Sequence, residues 1–492
     1  MAMLTAATSL GAVQGIRDQG VCSWRGIPYA QPLKPERRFL PPEPVKPWRG
    51  VMQADYFGSI APQRSFLRRG IGEDCLNLNI WSPDADSRHR PVLCFIHGGS
   101  FEHGSGSESF YNGATLAGTW DVLVVTINYR LGVLGFLDYS MLSSSFTPNL
   151  GLQDVLSALA WVHEHIENFG GDPDRITVFG QSAGGTMVSA LSVMEEARRY
   201  ISRCMMISGG PTQVQSLDEC REITEQYLDF MDIQKADDLI STPLDDLAKS
   251  QREFISYCGL GAATYRLAVD GVIVKDYPIP AAREGATAGI PLLIGTTQEE
   301  MALINFKPLA KVLDVDTIVN EGISRESRET RRALIDAYTS VYGRKQGESM
   351  LYTDLLFRIS SVWFSEAASN HSPTWMYRFD FESAILKMNG IHAFHSTDLP
   401  FIFGNLKHLL VRPMFLLDRD MSEVHQIAEE IQKDIITFAR DGKLPWHPCR
   451  GEDTPAKCYD SESSVQPMVD PRIKHVYDLT EYKRKSLLSI RE

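Results

Sequence analysis

Gly180-Gln181-Ser182-Ala183-Gly184 is the segment of this chain best equipped for chemistry. A bare G-x-S-x-G arises by chance about 0.2 times in a chain of this size, so its flanks decide what it means. Ile176-Thr177-Val178-Phe179 before it reads as a buried strand, and Gly185 through Met194 after it as an apolar helix. A strand that bends sharply into a helix holds the central Ser with its Oγ exposed. Glycine at 180 and 184 suits a bend where the two backbones come too close for side chains. The positive end of the helix favours the negative charge that develops at Oγ and on an attacked carbonyl. The chemistry is therefore nucleophilic attack by Ser182 on an acyl carbon. The bland alternative is a Gly/Ser loop capping an ordinary helix.

A serine hydroxyl is a weak nucleophile until a base removes its proton, and the base needs a third group to orient it. On a strand–turn–helix elbow the order along the chain is Ser, acid, His, so the partners lie after 182. Gln298-Glu299-Glu300 follows the apolar run Pro291-Leu292-Leu293-Ile294-Gly295, and of the two adjacent acids only one is expected to point inward. His392 and His395 lie in the segment after the run Trp375–Phe379 and compete as the base. The residues alone leave both choices open. His97-Gly98-Gly99-Ser100-Phe101 follows the run Val92–Ile96. Adjacent glycines there leave backbone N–H groups free to converge on an oxyanion, together with the N–H of Ala183. Each such donor lowers the barrier by about 3 kcal/mol.

The elements that must carry these loops are short apolar runs alternating with helical patterns. The runs are Val92–Ile96, Val122–Ile127, Ile176–Phe179, Cys204–Ile207, Leu292–Ile294 and Trp375–Phe379. They are nearly continuous in apolar character, as strands covered on both faces are. Leu152, Val155, Leu156, Leu159, Val162 and Ile166 fall at helical spacing, and Gly170, Gly171 and Pro173 end that helix. The pattern predicts an α/β fold, a mostly parallel central sheet flanked by helices, with its site at the carboxyl ends of the strands. Residues 1–56 read as an antiparallel entry to the sheet. Residues from about 210 to 285 and 305 to 372 are helix-rich and poor in sheet signal, and are expected to roof a pocket. An amphipathic helix with Val424, Ile427, Ile431, Ile435 and Phe438 closes the fold.

The 492 residues are 43% hydrophobic and 23% charged, with a formal charge of −13. Ordinary globular composition excludes disorder, collagen-like and coiled-coil readings. The acidic balance argues against nucleic acid, whose phosphates need a concentrated basic face. No run approaches the ~18 apolar residues of a membrane span. The opening MAMLTAATSL has no Lys or Arg before its apolar run and reads as a poor signal peptide, so a cytoplasmic protein is expected unless a leader has been removed. Eight cysteines leave disulfides arithmetically open, but Cys22 and Cys94 sit in strand-like runs and mostly reduced thiols are expected. Cys449 and Cys458 are near enough in sequence to pair, with nothing requiring it. The sequon Asn370-His371-Ser372 is the kind of match chance supplies.

Taken together, these segments resemble the type-B carboxylesterase/cholinesterase family of α/β-hydrolases, most closely its bacterial p-nitrobenzyl-esterase-like carboxylesterases. The likeness runs from Gly26-Ile27-Pro28-Tyr29-Ala30 through Glu73-Asp74-Cys75-Leu76-Asn77-Leu78-Asn79 and Asn128-Tyr129-Arg130-Leu131-Gly132. It continues through Asn149-Leu150-Gly151-Leu152, Phe169-Gly170-Gly171-Asp172-Pro173, the elbow and Asp398-Leu399-Pro400-Phe401-Ile402-Phe403-Gly404. The resemblance implies one α/β-hydrolase domain over 1–492. It implies Glu300 as the acid and His395 as the base, with Gly99, Ser100 and Ala183 as oxyanion donors. Gln181, Asp398 and Ser208 are expected around that triad, and Arg38–Glu73 and Arg130–Asp154 as structural ion pairs. No metal or cofactor is implied.

Departures from the family pattern carry information. Many relatives have Glu where this chain has Gln181, so stabilisation of a protonated His395 falls more to Glu300 and Asp398. Ser100 replaces a common Gly but keeps its N–H. Met301 replaces the Gly that usually follows the acid. The loop Gln63-Arg64-Ser65-Phe66-Leu67-Arg68-Arg69 has three Arg and no Trp, a poor partner for a quaternary ammonium. Cys75 has no plausible disulfide mate, since Cys22 falls in a core strand. The expected protein is a serine carboxylesterase acting on small esters of short or medium acyl chain, with a monomer favoured and the oligomeric state left open. The same triad acting on carbamates, amides or lactones is the rival. A non-catalytic cholinesterase-like interaction protein and a secreted lipase are more distant ones.

Overall fold

The computed structural model describes residues 2–63, 70–305, 327–418, 420–478 and 480. Residues 64–69 and 306–326, on which part of the cationic loop and part of the second expected roof segment fall, lie outside the described residues. The chain divides into two compact units. One comprises Met1–Met187, Met194–Arg203 and Val214–Lys275, the other Val188–Val193, Cys204–Gln213 and Asp276–Glu492.

In the first unit the chain enters as antiparallel strands, Ala2–Thr8, Gly11–Asp18 and Val21–Pro28, the last paired with Asn77–Ser82. The ladder breaks between Trp24 and Ile27, where Gly26 adopts φ 71° and donates its N–H to Asn79 Oδ1 at 2.9 Å. A side chain there would meet the backbone N of Gly58 at 2.6 Å, which explains the glycine. Asn77–Ser82 runs antiparallel to Leu123–Ile127, and from there the pairing turns parallel through Arg90–Ile96 to Gly171–Gln181. Every residue of Arg90–Ile96 and Leu123–Ile127 is buried, as continuous apolar runs require. The helix Leu150–His165 starts at Asn149, whose φ of 57° lets its side-chain amide exchange two 2.8 Å bonds with the backbone of Ala268. Gly170, at φ 91°, ends the short 3₁₀ turn Ile166–Phe169 beyond that helix.

The second unit carries parallel strands in the order Arg203–Ile207, Leu292–Thr297, Thr374–Phe379, Pro455–Tyr459, with Ser464–Pro467 antiparallel on the edge. Helices Arg328–Thr353, Ile359–Ala368 and Ser422–Asp441 belong to it. In Ser422–Asp441 the predicted residues Val424, Ile427, Ile431, Ile435 and Phe438 are all buried. That helix is not the last element, however: two strands and the helix Pro471–Tyr477 come after it. Pro455–Tyr459 is short and interrupted by Lys457, so it lacks the apolar run that marks its neighbours.

One smaller difference concerns the outer segments. Residues 214–216 and 267–269 form a two-stranded parallel sheet, unexpected because Gln215 and Ser216 give it no apolar pattern. Both expected ion pairs are present. Arg130 and Asp154 are wholly buried and joined by two bonds of 2.6 and 2.8 Å, and the spare Nη1 of Arg130 donates to the carbonyls of Arg38 and Leu40. Arg38 in turn pairs with Glu73 and donates to the carbonyls of Ile240 and Thr242. A buried guanidinium holds its place only when its charge and each N–H are matched in this way.

Candidate active site

Ser182 sits between the strand Gly171–Gln181 and the helix Ala183–Val193. Its φ is 57°, a left-handed conformation that costs a non-glycine residue about 1–3 kcal/mol. Close packing enforces it. A Cβ on Gly180 would strike the carbonyl of Gly184, and one on Gly184 would strike the carbonyl of Ile96. The first helical turn closes on the elbow, with Thr186 N–H donating to Ser182 O at 2.9 Å. Ser182 itself stays partly exposed while Gln181 and Ala183 are buried. Of ten non-glycine residues with positive φ among those described, Ser100, Phe101, Ser182, Ser208 and Ser396 lie at or next to candidate site positions. Strain of this kind gathers where geometry must be held for function.

The loop after Arg90–Ile96 lies against the elbow. A side chain on Gly98 would meet the carbonyl of Gln181 at 2.6 Å and Ser182 Cβ at 2.9 Å, so only glycine fits. Gly99 has φ 115° and Ser100 φ 53°. Among the described residues, the N–H groups of Gly99, Ser100 and Ala183 donate no hydrogen bond. Three features anchor this loop. His97 donates from Nδ1 to Gly98 O at 2.8 Å, and its ring stacks on Tyr129 at 4.4 Å. Burial pushes the His97 pKa down to about 4, so the ring is neutral near pH 7. Tyr129 OH donates to His97 O at 2.7 Å. Gln63 exchanges two 2.9 Å bonds with the backbone of Gly104. Neither His97 nor Gln63 announces this role by sequence pattern, because each acts on a backbone group whose position only the fold supplies.

In the other unit, Glu300 lies just beyond the strand Leu292–Thr297 and is buried. Its Oε2 accepts from His395 Nδ1 at 2.6 Å, and its Oε1 accepts from Ser208 Oγ at 2.6 Å and from the Thr297 N–H at 2.7 Å. Burial alone would raise its pKa, but the bonds from His395 and Ser208 and the Thr297 N–H outweigh it and keep the carboxyl below its ordinary value. An ionised carboxylate favours the imidazole tautomer with the proton on Nδ1, in which Nε2 carries the basic lone pair. The backbones are laced as well, through His395 N–H to Glu300 O at 3.0 Å and Glu299 N–H to Ala393 O at 2.9 Å. His395 remains partly exposed.

The competing candidates separate cleanly. His392 lies between Glu382, which it meets through Nδ1, and Glu299, 3.7 Å from its Nε2. These carboxylates raise its pKa, with the Glu382 bond the largest cause. Contrary to expectation, both acids of the Glu299-Glu300 pair are buried, aimed into different clusters. Glu299 accepts from Ser349 and from Gln346 Nε2 at 3.0 Å. Adjacent residues leave a turn in different directions, and polar groups on the next helix satisfy the second acid. Asp398 is also wholly buried and accepts from Tyr377 OH at 3.0 Å. Among the described residues, no group of three or more His, Cys, Asp or Glu side chains is placed to hold a metal ion.

A strained serine beside unspent N–H donors, and an imidazole oriented by a buried carboxylate, are the parts with which hydrolases transfer acyl groups through serine. The chain belongs to the carboxylesterase family, whose model matches residues 3–484. It is 36% identical over 476 residues to the para-nitrobenzyl esterase of Bacillus subtilis (strain 168), a match that covers 93% of this chain and 95% of that protein. It is 31% identical over 423 residues to the fumonisin B1 esterase of Sphingopyxis macrogoltabida, covering 81% of this chain and 74% of that one. Among solved structures it is similar to the Geobacillus stearothermophilus carboxylesterase EST55 at pH 6.2. That match has a TM-score of 0.85 and 36% identity, and covers 96% of this chain and 99% of that one. The protein is a serine carboxylesterase with the α/β-hydrolase fold, a mostly parallel central sheet flanked by helices. Among the described residues, no helix is long and apolar enough to cross a membrane.

Proposed function

We propose that Ser182, His395 and Glu300 act as one triad. The observation that carries this reading is the Glu300–His395 bond, which leaves Nε2 of the imidazole as the proton acceptor. His395 takes the proton of Ser182 as Oγ attacks the ester carbonyl, and Gly99, Ser100 and Ala183 donate their N–H groups to the oxyanion. The imidazolium then protonates the leaving alcohol. A water deprotonated by the same Nε2 releases the acid and frees Ser182. Gln181 and Ser208 support the elbow and the acid from behind, and Asp398 contributes charge near the base.

The substrates are small carboxylic esters with short or medium acyl chains. Eight free cysteines suit a reducing compartment, and we place the enzyme in the cytoplasm. Ser182→Ala is expected to lower kcat on p-nitrophenyl acetate by about 10⁶ with KM little changed. A variant that keeps a tenth of the turnover would overturn the assignment of the nucleophile. One equivalent of a fluorophosphonate, bound at Ser182, separates this enzyme from a non-catalytic interaction protein.

A further inference from the structure

Asp354–Arg358 is a single π-helical turn between the helices Arg328–Thr353 and Ile359–Ala368. A π-turn inserts one extra residue, rotating the next helical turns by about 100° and leaving a carbonyl without its helical partner. Within this turn the carbonyl of Leu356 accepts from Gln213 Nε2 at 2.9 Å. Two side chains of the π-turn meet His395 and the turn that carries Glu300.

Phe357 lays its ring on the His395 imidazole, with centroids 4.7 Å apart. Arg358, only 2% exposed, reaches the acid turn. Its Nη2 donates to the carbonyl of Thr297 at 2.9 Å and to that of Gln298. Nη1 pairs with Asp354 Oδ1 at 3.1 Å, and Asp354 accepts from Tyr338 OH on its other oxygen. The same stretch holds the far side of the turn, where Thr353 Oγ1 accepts from Met301 N–H at 3.2 Å. Thr297 is the residue whose N–H binds the Glu300 carboxylate, and the carbonyl that Arg358 holds lies one Cα away from that N–H, in the next peptide of the same turn.

We infer that Arg358 is a positioning residue for Glu300, locking the acid turn so that the carboxylate meets His395 squarely. The inference rests on the triad assignment of Ser182, His395 and Glu300. A planar guanidinium fork whose Nη2 holds two successive carbonyls while its Nη1 pairs with Asp354 does what a lysine ammonium does less well, since the latter is one point charge on a flexible stem. Loss of the fork lets the carboxylate drift, and a displacement of about 1 Å in such a group costs up to about a hundredfold in rate.

The test is a double-mutant cycle with kcat normalised to titrated active sites, so that unfolded protein does not count. Arg358→Met is expected to lower kcat on p-nitrophenyl acetate about ten- to a hundredfold with KM within about twofold, and Arg358→Lys to recover part of the loss. On a Glu300→Gln background the same Arg358→Met change is expected to cost less than about twofold, because the group it positions is already gone. Equal losses on both backgrounds overturn the proposal, as does an unchanged kcat per active site in Arg358→Met. Should that variant not fold, the cycle is run with Arg358→Lys and read the same way. Full activity in Glu300→Gln alone overturns the triad reading, and this proposal with it, by a separate result.

Discussion

Asp398 lies three residues beyond His395, and its state sets part of the charge around that imidazole. Burial first, and then the neighbouring Glu300 charge, push its pKa up to about 7. Its Oδ1 finds no partner among the described residues. A carboxyl whose folded pKa exceeds its unfolded value of about 3.9 binds protons more tightly when folded, so its contribution to stability falls as pH rises from about 4 to 7 and is level above that. Asp398→Asn removes that slope. Denaturant unfolding at pH 5, 6, 7 and 8 should show the variant gaining on wild type by up to about 1.4 kcal/mol per pH unit below 7, and no further above it. Parallel stabilities across the series would contradict this account. At neutral pH Asp398 is only partly ionised, so Glu300 carries most of the stabilisation of a protonated His395.

At the scale of elements, the elbow was legible because its requirements are local. Gly-x-Ser-x-Gly between an apolar run and an apolar helix states both the bend and the need for bare backbone. The structure adds what those glycines avoid, the carbonyls of Ile96 and Gly184 and the backbone of Gln181. Gly184→Ala is expected to cost about 1–3 kcal/mol in unfolding free energy and at least about tenfold in kcat/KM, since the elbow must shift to admit the methyl group. Gly72→Ala, whose Cβ would meet only Ser59 among the described residues, at 3.6 Å, serves as the control and should leave both unchanged. A wild-type-like Gly184→Ala would remove the steric argument. The acid turn was less legible. Glu299 and Glu300 look alike in sequence, and what sorts them is Ser349 and Gln346 on one side and Ser208 and Thr297 on the other. Arg358 did leave a trace: it is the one charge in Leu355-Leu356-Phe357-Arg358-Ile359, and a charge in an apolar stretch is rarely buried without a matched set of acceptors. The acceptors themselves are about 60 positions away and have no pattern of their own.

Over the whole molecule, apolar runs identified the buried strands but not the marginal ones. Pro455–Tyr459 and the short strands Val214–Ser216 and Leu267–Val269 owe their place to neighbours rather than to their own composition, and such segments stay invisible until the sheet exists. The network of Arg38, Glu73, Arg130 and Asp154 was foreseen through family likeness alone, because residues so far apart share no periodicity.

The eight unpaired thiols are spread through both units, and all but Cys258 are buried. Burial raises the pKa of Cys204, Cys220, Cys449 and Cys458 to about 12, which leaves almost no thiolate at pH 8. A disulfide reagent added to the native enzyme should therefore consume one equivalent quickly, at Cys258, and the rest only as the strands holding them open. Each slow label then times the opening of its own neighbourhood, with Cys94 reporting the strand behind the oxyanion loop and Cys204 the strand leading to Ser208. Rapid modification of all eight in the folded protein would show those strands to be far looser than their burial implies. The carboxylesterase thus carries its own set of chemical clocks, readable by mass spectrometry without any engineered probe.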